Sequence, residues 1–470
     1  MAAGTEPAGT AAVVENASVT RDSEAKAGGA AALRRVESAL ATRWPESRIE
    51  PSLERVRDLV DLLGNPQNSY PVVHIGGTNG KTSTARLVDE LLRELGLRTG
   101  RFTSPHLESI TERICLDGDP VDADRFAAAY AEIAPYLDLV DRRHDIRLSF
   151  FEVLVAMAYS AFADTPVDAA VVEVGLGGSW DATNVVDGKV AVVTPVAVDH
   201  TEYLGDTVEE IAGEKAGIIK RGAVAVLARQ PEAAAEVLLR RAAEVGATIA
   251  REGMEFGVRA RQVAIGGQLL TLESLAGSYD EVFLPLHGAH QAQNAACAVA
   301  AVEAFLGGGR DALDADAVRA AFARVGSPGR LEVFRRGSTV LVDAAHNPAG
   351  ARALAEAVTE EFTFGSLVGV IAVLRDKDVL GILGELEPVV DLVVATENSS
   401  PRSMRLGDLV GLALQIFGED RVYQAATMPE AIDVAVGLAE REAPLGGGGV
   451  LVTGSVVTAG DARMLLGSGT

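Results

Sequence analysis

Cysteine is nearly absent: Cys115 and Cys297 are the only two in 470 residues. Two thiols exclude a disulfide scaffold and point to a reducing compartment. Positive charge is scarce as well, with 42 Lys and Arg against 66 Asp and Glu, a net charge of −24. Such a chain repels nucleic acid and anionic membranes unless a local basic site overrides the field. Apolar runs are short. Residues 367–374 are among the longest, far below the ~18 residues of a membrane span. No basic segment followed by an apolar stretch opens the chain, so no secretory signal is expected. Glu6, Glu15 and Asp22 argue against an acid-poor organelle presequence. These absences predict a cytoplasmic protein. The 48% apolar and 23% charged residues are ordinary for a globular chain with a large core.

Residues 1–30, rich in Ala, Gly, Thr and Ser, read as a disordered tail. Helical patterning starts at Ala31, and residues 53–63 form an amphipathic stretch ended by Gly64-Asn65-Pro66. The apolar run 71–75, a glycine-rich turn and the helical pattern 81–95, stopped by Gly96, give strand, loop, helix. Runs 169–174 and 190–194 read as buried strands and 207–219 as helix. Ser149–Glu152 and Thr207–Glu210 have the spacing of capping boxes. Short β segments over 255–286 precede an Ala-rich helix, 291–306. After a break at 325–331 the alternation resumes, with strands predicted over 339–342, 367–373, 392–395 and 450–452. The expected fold is α/β: a P-loop-type, mostly parallel sheet domain followed by a smaller Rossmann-like α/β domain.

Gly77-Thr78-Asn79-Gly80-Lys81-Thr82-Ser83 sits between strand and helix, where convergent N–H groups and the helix dipole favour phosphate. Lys81 would neutralise β/γ-phosphate charge, and Thr82 or Ser83 would face phosphate or magnesium. The match to a P-loop is imperfect, since Ile75 stands where its first glycine belongs. Glu173 and Asp199-His200 follow the next two buried strands, at the edge where open parallel sheets bind ligands.

Seven segments in register then carry a family resemblance. They are residues 74–81, Thr103-Ser-Pro-His-Leu107, Val172–Gly178, Asp181-Ala-Thr-Asn184, Asp199–Gly205, Glu214–Ile219 and Asp343-Ala-Ala-His-Asn347. From about residue 49 to the C-terminus the chain resembles folylpolyglutamate synthase/dihydrofolate synthase, a branch of the Mur-ligase-like ATP-dependent amide ligases. The resemblance implies an ATP-binding domain over 31–327 and a glutamate-ligase domain over 328–470. The implied reaction activates a substrate carboxylate as an acyl phosphate and captures it with the amine of L-glutamate. Dihydropteroate and reduced folates are the implied acceptors, and ATP and two Mg²⁺ ions the implied cofactors.

Residue by residue, the resemblance gives Ser104, Glu173 and His200 to a first Mg²⁺. Lys215 goes to a second, as a carbamate. Read by itself, Lys215 is a helix-end lysine complementing a dipole. Asn294 matches an adenine reader, Arg330 a γ-phosphate contact, Asp343 a ribose or phosphate partner, and His346 a phosphate-side residue. Lys81, His200, Lys215 and Arg330 are the expected catalytic set. Glu46, Ile49, Arg55, Ser149, Phe151 and Glu152 are candidates for the pterin end, with Asp181 nearby. For Ser149 and Glu152 the capping box is already a complete structural reason. Arg375-Asp-Lys-Asp378 is assigned loosely to the cleft, and Arg402 and Ser403 to incoming glutamate. The chain departs from the family pattern at Thr82 and Ala344, where glycine is common, and at Ser179, where arginine is frequent.

A peptidoglycan Mur ligase would need a further N-terminal domain, for which too little chain precedes Gly77. A GTPase switch would need Asn-Lys-x-Asp, and no Asn here is followed by Lys. A monofunctional folylpolyglutamate synthase is the remaining alternative. The expected partners are small molecules, with no nucleic acid or membrane, and the chain is expected to act as a monomer.

Overall fold

The computed structural model describes residues 28–45, 48, 50–336, 338–443 and 447–467. Of the tail expected over 1–30, only residues 28–30 are described, and they already belong to a helix running to residue 41. Glu46 and Ile49 lie outside the described residues.

Valine-rich runs with both faces covered build the first sheet. Val72–Gly76 lies at its centre between Ala169–Glu173 and Val190–Val193, parallel to both. Thr99–Phe102 extends one side, and Val224–Leu227 and Thr248–Arg251 the other, all parallel. The short strands Ile114–Leu116 and Asp119–Pro120 finish one edge antiparallel, giving eight strands. Alternate residues of the central strand enter opposite cores. Val73 and Ile75 pack with Leu87, Val88, Leu91 and Leu92 of the helix Lys81–Glu94 and with the Ala-rich helix Ala289–Gly307. Val72 packs with the helices Glu54–Leu62, Ala123–Asp141 and Phe150–Asp164. Each fully buried Val or Leu contributes about 1.5–3 kcal/mol.

The β segments expected over 255–286 form a three-stranded antiparallel sheet, Gly257–Ala264, Gly267–Glu273 and Ser278–Leu284. The third sheet has six strands in the order Glu332–Arg336, Ser338–Val342, Gly448–Thr453, Ser366–Ile371, Leu392–Ala395, Val422–Gln424. Only the first is antiparallel. Its two faces bury separate cores, one around Leu341, Ile371 and Leu451 and the other around Val342, Val370 and Val452. No helix among the described residues is long and apolar enough to cross a membrane.

Candidate active site

Three neighbouring strands of the first sheet end on the same side, and each delivers a functional group. After Val72–Gly76 the chain turns through Gly77 (φ 134°) and Gly80 (φ 91°) into the helix Lys81–Glu94. A Cβ on Gly80 would stand 2.6 Å from Asn294 Oδ1, so the missing side chain lets Asn294 lie against the loop. Thr78 and Asn79 turn their N–H groups back to the Pro195 carbonyl, at 3.0 and 3.4 Å. The N–H groups of residues 80–83 therefore remain as the anion-facing donors, without partners among the described residues. The half-buried Lys81 ammonium donates to Gly77 O (3.2 Å) and Thr78 O (3.0 Å). Burial lowers its pKa, and the charges of Glu173 and Asp199 oppose that shift.

Thr82 and Ser83 part company. Thr82 Oγ1 donates to both Glu173 oxygens, at 2.9 and 3.1 Å. Ser83 points the other way and meets Ser327 Oγ (3.1 Å) and Gln291 Nε2 (3.3 Å) at the interdomain joint. Consecutive helical residues point ~100° apart, so only one can face the ligand. Of the two candidates, Thr82 faces Glu173 and Ser83 faces the joint.

Glu173 is 1% exposed. Burial raises its carboxyl, while Lys81, Thr82, the Ser104 N–H (3.3 Å) and Arg330 pull it down. No cation forms an ion pair with it among the described residues. His200 adopts the left-handed conformation at φ 53°, a strained turn that directs its ring into the cleft. Burial holds this imidazole neutral, lowering its pKa to about 3.

The second domain closes the site through residues far away in sequence. Lys377 Nζ lies 2.6 Å from Asp199 Oδ1 and 3.2 Å from His200 Nε2. Asn347 pairs reciprocally with Asn79 (3.1 Å each way) and donates to Asp199 Oδ2 at 2.9 Å. His346 Nε2 is 3.7 Å from the same carboxylate, and burial lowers the pKa of His346 to about 4. Burial alone would raise the Asp199 carboxyl, but His200, Lys377 and His346 together hold it far below the usual range. Asp199, Asn347 and Lys377 were quoted within motifs, yet sequence reasoning gave none of them a defined role. The Asp-Lys-Asp motif was the available signal.

Lys215, in the helix Val208–Ala216, is 4% exposed and donates to Gly77 O at 2.9 Å. Burial, then the Lys81 charge, brings its pKa down to about 7, so a large neutral fraction exists near neutrality. Arg330 is half-buried in the joint, where its charge acts on both Lys81 and Glu173.

Asp343 accepts from Leu331 N–H and Ala345 N–H at 2.8 Å each, and so clamps the loop beside Arg330. Asp181 lines the interdomain cavity; it also caps the turn Ala182–Val185 and accepts from Leu176 N–H at 2.9 Å. Ser403 is turned into its own loop, accepting from Asn398 N–H at 3.1 Å. Arg402 reaches the cleft but is ion-paired with Asp376.

A cavity of about 1100 Å³ runs between the domains. One end is lined by Trp44, Arg55, Ser149, Phe151 and Glu152, the middle by Ser104, Asp199, His200 and Lys377, and the other end by Arg402. Both capping boxes form as the sequence predicts. Glu152 serves twice, since Arg55 Nε also binds it at 3.1 Å. The Phe151 ring fills the space where a Gly175 side chain would be. An adjoining cavity of about 40 Å³ lies among Gly77, Lys81, Asp199, His200, Lys215 and His346.

No three His, Cys, Asp or Glu side chains among the described residues form a metal cage. Magnesium does not need one, because it keeps waters and takes one or two carboxylates plus substrate phosphates. A buried carboxylate without an ion pair, beside a hydroxyl, a neutral imidazole and a phosphate-type loop, fits that ion.

The chain is similar to known proteins over most of its length. The family model for the Mur ligase middle domain matches residues 149–302, and that for the Mur ligase glutamate ligase domain matches residues 329–456. The dihydrofolate synthase/folylpolyglutamate synthase of Mycobacterium tuberculosis is 54% identical over 459 residues, covering 93% of this chain and 94% of its own. The protein of the same name from Escherichia coli is 34% identical over 414 residues, covering 87% and 90%. The M. tuberculosis folylpolyglutamate synthase structure complexed with ADP superposes with TM-score 0.90 at 54% identity, covering 94% of this chain and 99% of that one. The E. coli FolC structure in complex with DHPP and ADP superposes with TM-score 0.80 at 31% identity, covering 92% and 97%.

Proposed function

Since the chain belongs to the dihydrofolate synthase/folylpolyglutamate synthase family, we propose that it ligates L-glutamate to two acceptors with consumption of ATP. These are the carboxylate of dihydropteroate, giving dihydrofolate, and the γ-carboxylate of reduced folates, giving polyglutamates. The carrying observation is the convergence of Lys81, Glu173 and His200 at adjacent strand ends, with Lys377 of the second domain 3.2 Å from His200, beside an interdomain cavity of about 1100 Å³.

The acceptor carboxylate attacks the γ-phosphorus, a new O–P bond forms, and ADP leaves with the bridging oxygen. The glutamate amine then attacks the acyl carbonyl, a C–N bond forms, and phosphate departs. Two anions must meet in the first step, so fixed positive charge carries most of the catalysis. Lys81 and Arg330 would supply it, and the helix-start N–H groups would hold the phosphates. Asn294, against Gly80 of the loop, would read the adenine. Asp343 and Asp181 hold their loops in place, and their remaining lone pairs can serve ribose or phosphate and the acceptor respectively.

Ser104, Glu173 and His200 would hold one Mg²⁺. Lys215 would hold a second after carbamylation, in which the neutral Nζ adds to CO₂, an N–C bond forms and a proton is released. Magnesium, when bound, neutralises the phosphate oxygens. Residues 31–327 act as the ATP-binding unit and 328–470 as the glutamate-ligase unit of a cytoplasmic monomer.

The test is ADP release with dihydropteroate, tetrahydrofolate and a UDP-linked Mur substrate, each with and without L-glutamate. Glutamate-dependent turnover with the first two alone is expected. Turnover with tetrahydrofolate alone would make the enzyme monofunctional, and turnover with the Mur substrate alone would overturn the reading.

A further inference from the structure

The loop after Thr99–Phe102 brings Ser104 to the phosphate site, and three residues later it reaches the other domain. Leu107 packs against the core of the second domain. Its Cδ2 lies 3.2 Å from the place a Cβ on Gly329 would occupy. On the helix Val456–Leu466, a Cβ on Gly460 would strike the Leu107 carbonyl oxygen. Glycine inside a helix costs about 1 kcal/mol against alanine. Close approach of Leu107 supplies the reason for a glycine there.

The contact is fastened on both sides. Glu108 accepts from Arg463 Nε at 2.7 Å. Arg463 also pairs with Glu332, which accepts from Gly329 N–H at 2.8 Å, beside Arg330. The loop itself is stiff, because Glu112 gathers the N–H groups of Leu107 (2.9 Å), Glu108 (2.9 Å) and Ser109 (2.7 Å). A shift at Leu107 therefore travels to Ser104, whose N–H is on Glu173. One short segment touches the metal-side carboxylate at one end and the Arg330 joint at the other.

We propose that Leu107 is a positioning residue: seated on Gly460 and Gly329, it makes the Ser104–Glu173 geometry depend on the docking of the second domain. This rests on the ligase reading above. In functional terms, phosphate-side chemistry is assembled only when the glutamate-ligase unit is in place, which keeps a reactive acyl phosphate from forming in an open site.

The experiment compares Leu107→Ala, Leu107→Met and Gly460→Ala with the wild type in ligase kinetics, ADP affinity and amide hydrogen exchange over residues 104–112. Leu107→Ala should lower kcat about 10-fold and raise the magnesium requirement about 5-fold, with KM for ATP changed less than about 3-fold. Amides of the loop should exchange about 10-fold faster, and Leu107→Met should restore most of each effect. Gly460→Ala drives a Cβ against the Leu107 carbonyl oxygen, so kcat should fall and the loop should exchange faster by more than any accompanying drop in melting temperature accounts for. Wild-type exchange and magnesium dependence in both alanine variants would overturn the proposal, as would a fall in activity that only follows thermal stability. A wild type that turns over no folate substrate would defeat the ligase reading instead, and the exchange rates would still decide the Leu107 coupling.

Discussion

Lys81, half-buried, and Lys215, buried, donate to the same carbonyl, Gly77 O, at 3.2 and 2.9 Å. Their surroundings give them different tasks. Lys81 is balanced by Glu173 and Asp199 and is placed to meet phosphate charge. Lys81→Ala should keep the fold, as judged by circular dichroism, and lower kcat about 10²–10³-fold. Lys215, with a pKa near 7 against 10.5 in an unfolded chain, is the better nucleophile toward CO₂. Between those values the unfolded chain binds a proton that the native state does not, so stability from this group rises with pH across the window. Denaturant titrations from pH 7 to 10 should show that slope in the wild type and a shallower one in Lys215→Met. Lys215→Ala should lose activity, and Lys215→Glu should recover part of it by restoring an anionic oxygen. At this scale the sequence exposed residue type and strand-end position, which is how Glu173 and His200 were legible. It did not expose whether a carboxylate was free. Asp343 and Asp181 read as ligand contacts in a motif, and their oxygens also accept from neighbouring N–H groups, a matter of loop conformation.

The helix Phe150–Asp164 begins with a capping box, and the same carboxylate holds Arg55 from the helix Glu54–Leu62. Local chemistry thereby fixes one end of the cleft. Ser149→Ala should cost about 1 kcal/mol by denaturant titration. Glu152→Ala should cost about 3–5 kcal/mol, because it leaves Arg55 buried and unpaired, and should raise KM for dihydropteroate more than KM for ATP. Elements with strong periodicity were legible to within a few residues, including Lys81–Glu94, Ala289–Gly307 and Leu392–Ala395. The strands Thr99–Phe102, Val224–Leu227, Glu332–Arg336 and Val422–Gln424 were missed. All are short, and the last two are edge strands of their sheet; they gain their place by pairing with neighbours rather than from their own pattern. A third capping box, at Ser109–Glu112, also escaped notice because it caps a single turn in a loop.

Across the whole molecule, the site exists because two domains meet. Asp199 and Lys377 are 178 positions apart in sequence, and Asn79 and Asn347 are 268 apart. No local pattern encodes such contacts, so Lys377 was placed only loosely. Lys377→Ala should loosen this seat: solution scattering should give a larger radius of gyration than the wild type, and kcat should fall more than ADP affinity. The central claim is that the acceptor carboxylate is itself phosphorylated within this interdomain cleft. The direct measurement uses dihydropteroate and tetrahydrofolate carrying ¹⁸O in the reacting carboxylate, with mass analysis of the phosphate released on glutamylation. One ¹⁸O atom in the phosphate from each acceptor is the predicted result, and phosphate without label would contradict it.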